Sequence, residues 1–287
     1  MKNITFLAPS HVMNSEHSLK NLTARLNDGQ TINAKLKIAA DGRSSSTRKA
    51  AGITVTKWPY NQSAIVCSVS HEYSHDFIAH ERFLTNGPFA ILPLNNLSGN
   101  PGTKSSIVWT EETKLASNLL SLSENDFKSE LDVRFGNFLG HTKIISPKWS
   151  YPLSFQVATK SIETRLALIG DASHGMHPIA GQGLNMGLRD VAALSEEIVN
   201  AKNLGLDIGS DYVLQNYQRW RKFDNSLMLA STDFLNRLFS NNLKPIALAR
   251  NLGLAAVNKI PPLKKILARH AMGLTGELPR LMRNLPL

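Results

Sequence analysis

The sequence predicts an α/β chain with a β-rich insertion and a helical tail, and three features carry that expectation. Two stretches, one around Asp41 and one around Asp171, each run from an apolar strand through a glycine turn into a helix. Between them, residues 55–154 hold short strand-like runs divided by turn residues. After residue 203, Leu, Ile, Ala and Met recur at helical spacing among basic residues. The expected parts are residues 1–54 with 155–202, residues 55–154, and residues 203–287.

Taken in order, residues 4–8, 22–26 and 32–36 read as strands of a meander, with Asn27-Asp28-Gly29-Gln30 as a hairpin turn. Residues 36–40 lead into Asp41-Gly42, a turn dipeptide, and then a short helix for which Ser44 or Ser45 is the cap. Alone, this is a capped helix carrying a solvated Arg48. In the middle segment, residues 63–69, 89–94 and 105–110 are strands, whereas Pro93, Asn95-Asn96 and residues 99–102 are loops or turns. Ser123, with Glu124 and Asp126 behind it, marks a helix start.

Residues 166–190 are the most informative. An unbroken apolar run, 166–169, fits a strand covered on both faces. Gly170-Asp171 ends it. Pro178, Gly181 and Gly183 permit a tight path and close approach of backbone to a ligand. From about Leu184 a helix follows, with Leu184, Leu188, Val191, Leu194 and Ile198 as its apolar stripe. A helix start behind glycines offers free N–H groups to an anion or an electron-rich ring edge.

These residues resemble the second flavin motif of the FAD-dependent aromatic hydroxylases: Gly-Asp-Ala-x-His, a proline four residues on, Gly-x-Gly-x-Asn, and an Asp in the next helix. Gly170, Asp171, Ala172, His174, Pro178, Gly181, Gly183, Asn185 and Asp190 fill it. The same family carries Asp-Gly-x-x-Ser-x-x-Arg earlier in its chain, matched by Asp41, Gly42, Ser45 and Arg48. Two motifs in family order are far more specific than either one. The run from Ala180 through Gln182 to Asp190, and Trp149-Ser150-Tyr151-Pro152, are most similar to the ubiquinone-biosynthesis hydroxylases.

The resemblance implies an FAD-binding Rossmann-like domain, an inserted β-sheet substrate domain and a C-terminal helical tail. It implies that Asp171 binds the ribityl chain of FAD and that the backbone of Gly183, Leu184 and Asn185 approaches the isoalloxazine ring. Gly170, Pro178, Gly181 and Gln182 complete that loop, and Asp41, Gly42 and Arg48 serve flavin and NAD(P)H interactions. Pro178 and His174 line the flavin edge, with no acid–base role assigned; His174 reads equally as a hydrogen-bonded structural histidine. Phe89 and Pro93 fall where the substrate sheet meets the ring in relatives, or are plain core and turn residues. The implied reaction is hydroxylation of a polyprenylated phenol by O₂ on FAD, with NAD(P)H as electron donor.

The family's Gly-x-Gly-x-x-Gly turn occurs nowhere in these 287 residues. The expectation is therefore an incomplete FAD-binding domain, the C-terminal two-thirds of a hydroxylase. A split gene, a misplaced start and a fragment all remain open as its origin. So do a non-catalytic remnant, an interaction subunit of a quinone-biosynthesis complex, and a flavin monooxygenase acting on a small aromatic.

Composition excludes several other classes. With one cysteine, Cys67, no intramolecular disulfide forms, which fits a cytoplasmic setting. Cys67 lies in a strand-like alternation and reads as buried and inert. The 32 Lys and Arg outnumber 22 Asp and Glu, for a net charge of +10, but no nucleic-acid-binding signature accompanies them. His71, His75 and His80, and His174 with His177, lack the companions of a metal site. No Gly-x-Ser-x-Gly elbow provides a hydrolase nucleophile. The basic excess gathers in the tail, which reads either as a helical cap on the flavin domain or as a basic amphipathic surface for the inner membrane.

Overall fold

The computed structural model describes residues 3–95, 101–178, 181–239, 253, 255, 257–271 and 276–287. The chain divides into two compact units. Unit 1 is Met1–Thr56, Gln156–Leu229 and Arg269–Leu287; unit 2 is Lys57–Phe155 and Ala230–Ala268. The expected helical region 203–287 is thus divided between them.

Unit 1 begins with an antiparallel meander of β1 (Val12–His17), β2 (Leu22–Leu26) and β3 (Thr31–Ala34). Gly29, at φ +86°, makes the expected turn between β2 and β3. Leu22, Ala24 and Leu26 alternate inward along β2. The first strand is not residues 4–8. That run is coil, with Ile4, Phe6 and Leu7 exposed, because β1 already occupies the free edge of β2. An apolar run becomes a strand only where a ladder partner and cover are available.

The second sheet of unit 1 has the order β11 (Ile162–Glu163), β12 (Leu166–Leu168), β4 (Lys37–Ala39), with β12 and β4 parallel. All three residues of β12 are buried, and their alternation divides the core in two. Ala167 packs with Ala193, Leu194, Leu214 and Tyr217. Leu166 and Leu168 pack with Ala39, Ile53 and Ala172. The helices of unit 1 are α1 (Ser46–Ala50), α4 (Gln182–Asn203) and the first part of α5 (Asp211–Phe239).

Unit 2 holds β5 (Val55–His71), β6 (His80–Leu84), β7 (Gly87–Pro93), β8 (Lys104–Glu112) and β10 (Trp149–Ala158) in the order β10-β5-β8-β7-β6, with β9 (Thr142–Ile144) on β5. The start of β5, Val55 and Thr56, and the end of β10, from Gln156, fall on the unit 1 side of the division. One face of this sheet packs on α2 (Thr113–Ser121) and α3 (Glu124–Phe135) through Ile65, Phe89, Ile107, Trp109, Phe127 and Leu131. Ser123 caps α3 as expected, accepting from the Asp126 N–H at 3.2 Å.

Two open readings are decided here. Pro93 is the last residue of β7, paired opposite Ser105, a strand end where a missing N–H is tolerated. Phe89 is fully buried beside Trp109, a core residue rather than a pocket wall. Asn96, Gly99 and Asn100 lie outside the described residues. Cys67 is buried in this core, and burial pushes its thiol up to about 11. His71 is also buried, with Nδ1 on the Tyr73 carbonyl at 2.8 Å and Nε2 on Ser105 Oγ at 2.9 Å.

Candidate functional site

Both motifs lie in unit 1, at the ends of the two parallel strands. Chain leaving β4 reaches Asp41-Gly42; chain leaving β12 reaches a 3-10 turn, Gly170–Ala172. Because the strands are paired in register, Leu168 opposite Ala39, the two turns emerge at the same sheet end. Ligands of open α/β sheets bind there.

The first motif is a self-contained cap. Asp41 accepts from Ser45 Oγ at 2.5 Å and from the Thr47 N–H at 3.0 Å, while Ser45 Oγ accepts from the Arg48 N–H at 2.9 Å. Burial tends to raise the Asp41 carboxyl, but these hydrogen bonds prevail and hold it below its ordinary value. Arg48 is not solvated. It is buried, and it donates through Nη1 to the Ala172 carbonyl at 2.7 Å and through Nη2 to the Arg43 carbonyl at 2.8 Å. The Arg43 carbonyl also accepts from Gln156 Nε2 at 2.9 Å.

In the second motif, Asp171 is exposed while the five residues after it, Ala172 to Met176, are all buried. Behind it, Asp190 of α4 is fully buried. Its Oδ2 accepts from the Gly170 N–H at 2.9 Å and meets His174 Nε2 at 2.7 Å; its Oδ1 accepts from Arg221 Nε at 2.8 Å. Burial tends to raise the Asp190 carboxyl, but the hydrogen bond and charge of His174 and the charge of Arg221 outweigh it and hold it low. Arg221 also donates to Asp224 at 2.8 Å and Asn225 at 2.7 Å. The Tyr217 hydroxyl donates to the Leu168 carbonyl at 2.9 Å, so α5 grips the end of β12 as well. His174 is buried, and its Nδ1 has no hydrogen-bond partner among the described residues. A buried ring nitrogen without a partner is a place for a polar atom of a ligand to arrive.

This network sets the rotation of α4 and corrects the expected stripe. Leu184 and Leu188 are 73% and 51% exposed, and Val191 is also exposed, whereas Met186, Arg189, Asp190, Ala193 and Leu194 face inward. A buried carboxylate without partners would be costly, and this phase gives Asp190 three donors while leaving Leu184, Leu188 and Val191 outward. The helix also runs close to the turn: a Cβ on Gly187 would stand 3.4 Å from Gly170 Cα, in van der Waals contact. Gly181, the N-cap of α4, is left-handed at φ +61° and brings no side-chain acceptor to the first-turn N–H groups. Its own N–H donates to the Pro178 carbonyl at 2.9 Å, closing the loop. Asn185 Nδ2 donates to Gln182 Oε1 at 3.3 Å on the first turn.

The structure thus brings together Asp41, Gly42 and Arg48 with Gly170, Asp171 and His174, through the bond from Arg48 to Ala172. Pro178, Gly181, Gln182, Gly183, Leu184 and Asn185 form the loop and helix start that follow. Arg221, Arg43 and Gln156 carry no motif spacing, and sequence reading did not single them out for this site. A cavity of about 360 Å³ lined by Lys37, Ser46, Thr47 and others does not include Asp171. Among the described residues no group of His, Cys, Asp and Glu forms a metal cluster.

An exposed carboxylate, an uncapped helix start and a buried open nitrogen fit a polyhydroxylated, ring-bearing ligand such as FAD. Asp171 would hold its hydroxyls, and the backbone of residues 181–185 would face its ring.

Comparison with known proteins agrees with this fit. Residues 8–222 match the family described as FAD binding domain. The chain is 50% identical over 286 residues to the ubiquinone hydroxylase UbiL of Rhodospirillum rubrum, covering 99% of this chain and 65% of that protein. It is 37% identical over 249 residues to the 3-demethoxyubiquinol 3-hydroxylase of Escherichia coli, covering 87% of this chain and 62% of the relative. This chain therefore spans less than two thirds of the length of either. Among solved structures, p-nitrophenol 4-monooxygenase PnpA from Pseudomonas putida superposes with a TM-score of 0.72 at 19% identity, over 91% of this chain and 65% of that one.

Proposed function

This chain belongs to the FAD-binding domain family, among flavin-dependent monooxygenases, and from that premise we propose that it serves the hydroxylation of a polyprenylated phenol ring in ubiquinone biosynthesis. The observation that carries the reading is the Asp171 turn. Its carboxylate faces solvent while its backbone is fixed from behind by Asp190, in a chain half identical to a ubiquinone hydroxylase.

FAD, when bound, supplies the activation of O₂. The protein's own part is placement. Asp171 accepts hydrogen bonds from the ribityl hydroxyls, and Gly181, Gln182, Gly183, Leu184 and Asn185 present backbone to the ring. His174 Nδ1 offers a hydrogen bond to the ligand. Asp41, Gly42 and Arg48 act one step removed, by holding the second turn in position. Pro178 closes the loop and limits water at the ring edge. NAD(P)H is the reductant in this reading, the substrate reaches the site from the inner-membrane surface, and other quinone-biosynthesis proteins are its partners.

The test is complementation of a strain blocked in ubiquinone ring hydroxylation, with quinone measured by mass spectrometry. The 287-residue chain is expressed alone and fused behind a dinucleotide-binding segment bearing Gly-x-Gly-x-x-Gly. Quinone restored by the fusion, with no hydroxylation of small hydrophilic aromatics, is the expected result. No quinone from a soluble, flavin-loaded fusion would overturn the assignment in favour of a non-catalytic role.

A further inference from the structure

Between Phe239 and Gly276 the sequence holds six Lys or Arg and no Asp or Glu. Within that stretch lies a last α-helix, α6 (Pro261–Ala271). Ile260, immediately before it, and Leu263 and Ile266 on it recur every three residues, and they are 47%, 37% and 61% exposed. Lys264 and Lys265 between them are exposed as well. On a helix, residues three apart share a side, so Leu263 and Ile266 present one apolar strip flanked by ammonium groups.

Branched aliphatic side chains in water cost free energy, and a run of cations with no acid in the same stretch of sequence repels itself. One environment relieves both: the headgroup region of an anionic bilayer, where acyl chains take the aliphatic groups and phosphates take the ammonium groups. Nucleic acid would satisfy the lysines and leave Ile260, Leu263 and Ile266 wet. An acidic protein surface would do the same unless it carried a matching apolar groove. Among the described residues no helix is long and apolar enough to cross a membrane, so the contact is with a surface.

We infer that the α6 segment, through Ile260, Leu263, Lys264, Lys265 and Ile266, docks the chain on anionic phospholipid. This deepens the proposed function and rests on it, since it brings the chain to the bilayer that would hold a polyprenylated substrate. Its test needs neither FAD nor substrate, so it fails or succeeds independently of the quinone assay.

The experiment is co-sedimentation of the 287-residue chain with large vesicles of phosphatidylcholine, with and without a minority of phosphatidylglycerol. Binding is expected only with phosphatidylglycerol, and weaker at high salt. The double variant Lys264→Gln, Lys265→Gln should bind about thirtyfold less tightly, from the usual contribution of a surface cation. Ile266→Asn should also weaken binding with both lysines intact. Circular dichroism matching that of the parent chain establishes that each variant folds. Equal binding to neutral vesicles, no binding at all, or unchanged binding by the variants would overturn the proposal. So would duplex DNA or polyglutamate competing fully while Ile266→Asn has no effect.

Discussion

Arg48 donates to the carbonyl of Ala172 at 2.7 Å across 124 residues of sequence, and this bond joins the two motifs into one platform. Its second donor holds the Arg43 carbonyl. Arg48→Ala should leave the Ala172 carbonyl without this donor, at about 1–3 kcal/mol, while the Arg43 carbonyl keeps its bond from Gln156. Arg48→Lys, with one donor head in place of a fork, should recover only part of that loss. Urea denaturation of the two variants measures the difference.

Acid should loosen unit 1 through Asp190. A carboxyl held below its ordinary value of 3.8 contributes stability that is fully present above that value and is lost as pH falls through the lower, folded value. Stability should therefore decline steeply below about pH 4, by the same linkage. Asp190→Asn should be less stable at neutral pH and should show a flatter acid limb. Asp190→Ala should cost about 3–5 kcal/mol, the usual loss when one partner of a buried ion pair is removed. Thermal melts from pH 3 to pH 7, all below the window in which Cys67 titrates, give both curves.

Cys67 should resist alkylation in the folded chain. Its thiol is buried and titrates near 11, so at pH 8 almost none is thiolate. Iodoacetamide at pH 8 should modify it only in denaturant, as followed by mass spectrometry. Rapid modification of the native protein would mean that the core of unit 2 is open.

What the sequence made legible was local. The helix start at Ser123 was readable, and the first cap was narrowed to Ser44 or Ser45, because a cap bonds within three residues. The β12 strand was readable because both its faces are buried. The phase of α4 was not. Spacing placed Leu184, Leu188 and Val191 on an apolar stripe, but Asp190 turned that stripe outward by taking donors from Gly170, His174 and Arg221. Arg221 lies 31 residues beyond Asp190 with nothing in the spacing to tie them. The burial of Arg48 was hidden for the same reason, since its acceptor is in the other motif. Residues 4–8 failed as a strand because edge occupancy depends on the whole sheet.

The central claim is that Asp171 holds the hydroxyl chain of FAD, and the most direct measurement is titration of FAD fluorescence with the 287-residue chain and its Asp171→Ala variant. Asp171 is exposed and has no side-chain hydrogen bond or ion pair among the described residues, so the variant should fold like the parent. Loss of a charge-assisted hydrogen bond contributes about 1.5–3 kcal/mol, so the variant should bind FAD about ten- to a hundredfold more weakly. Equal affinity in the two proteins would contradict the account.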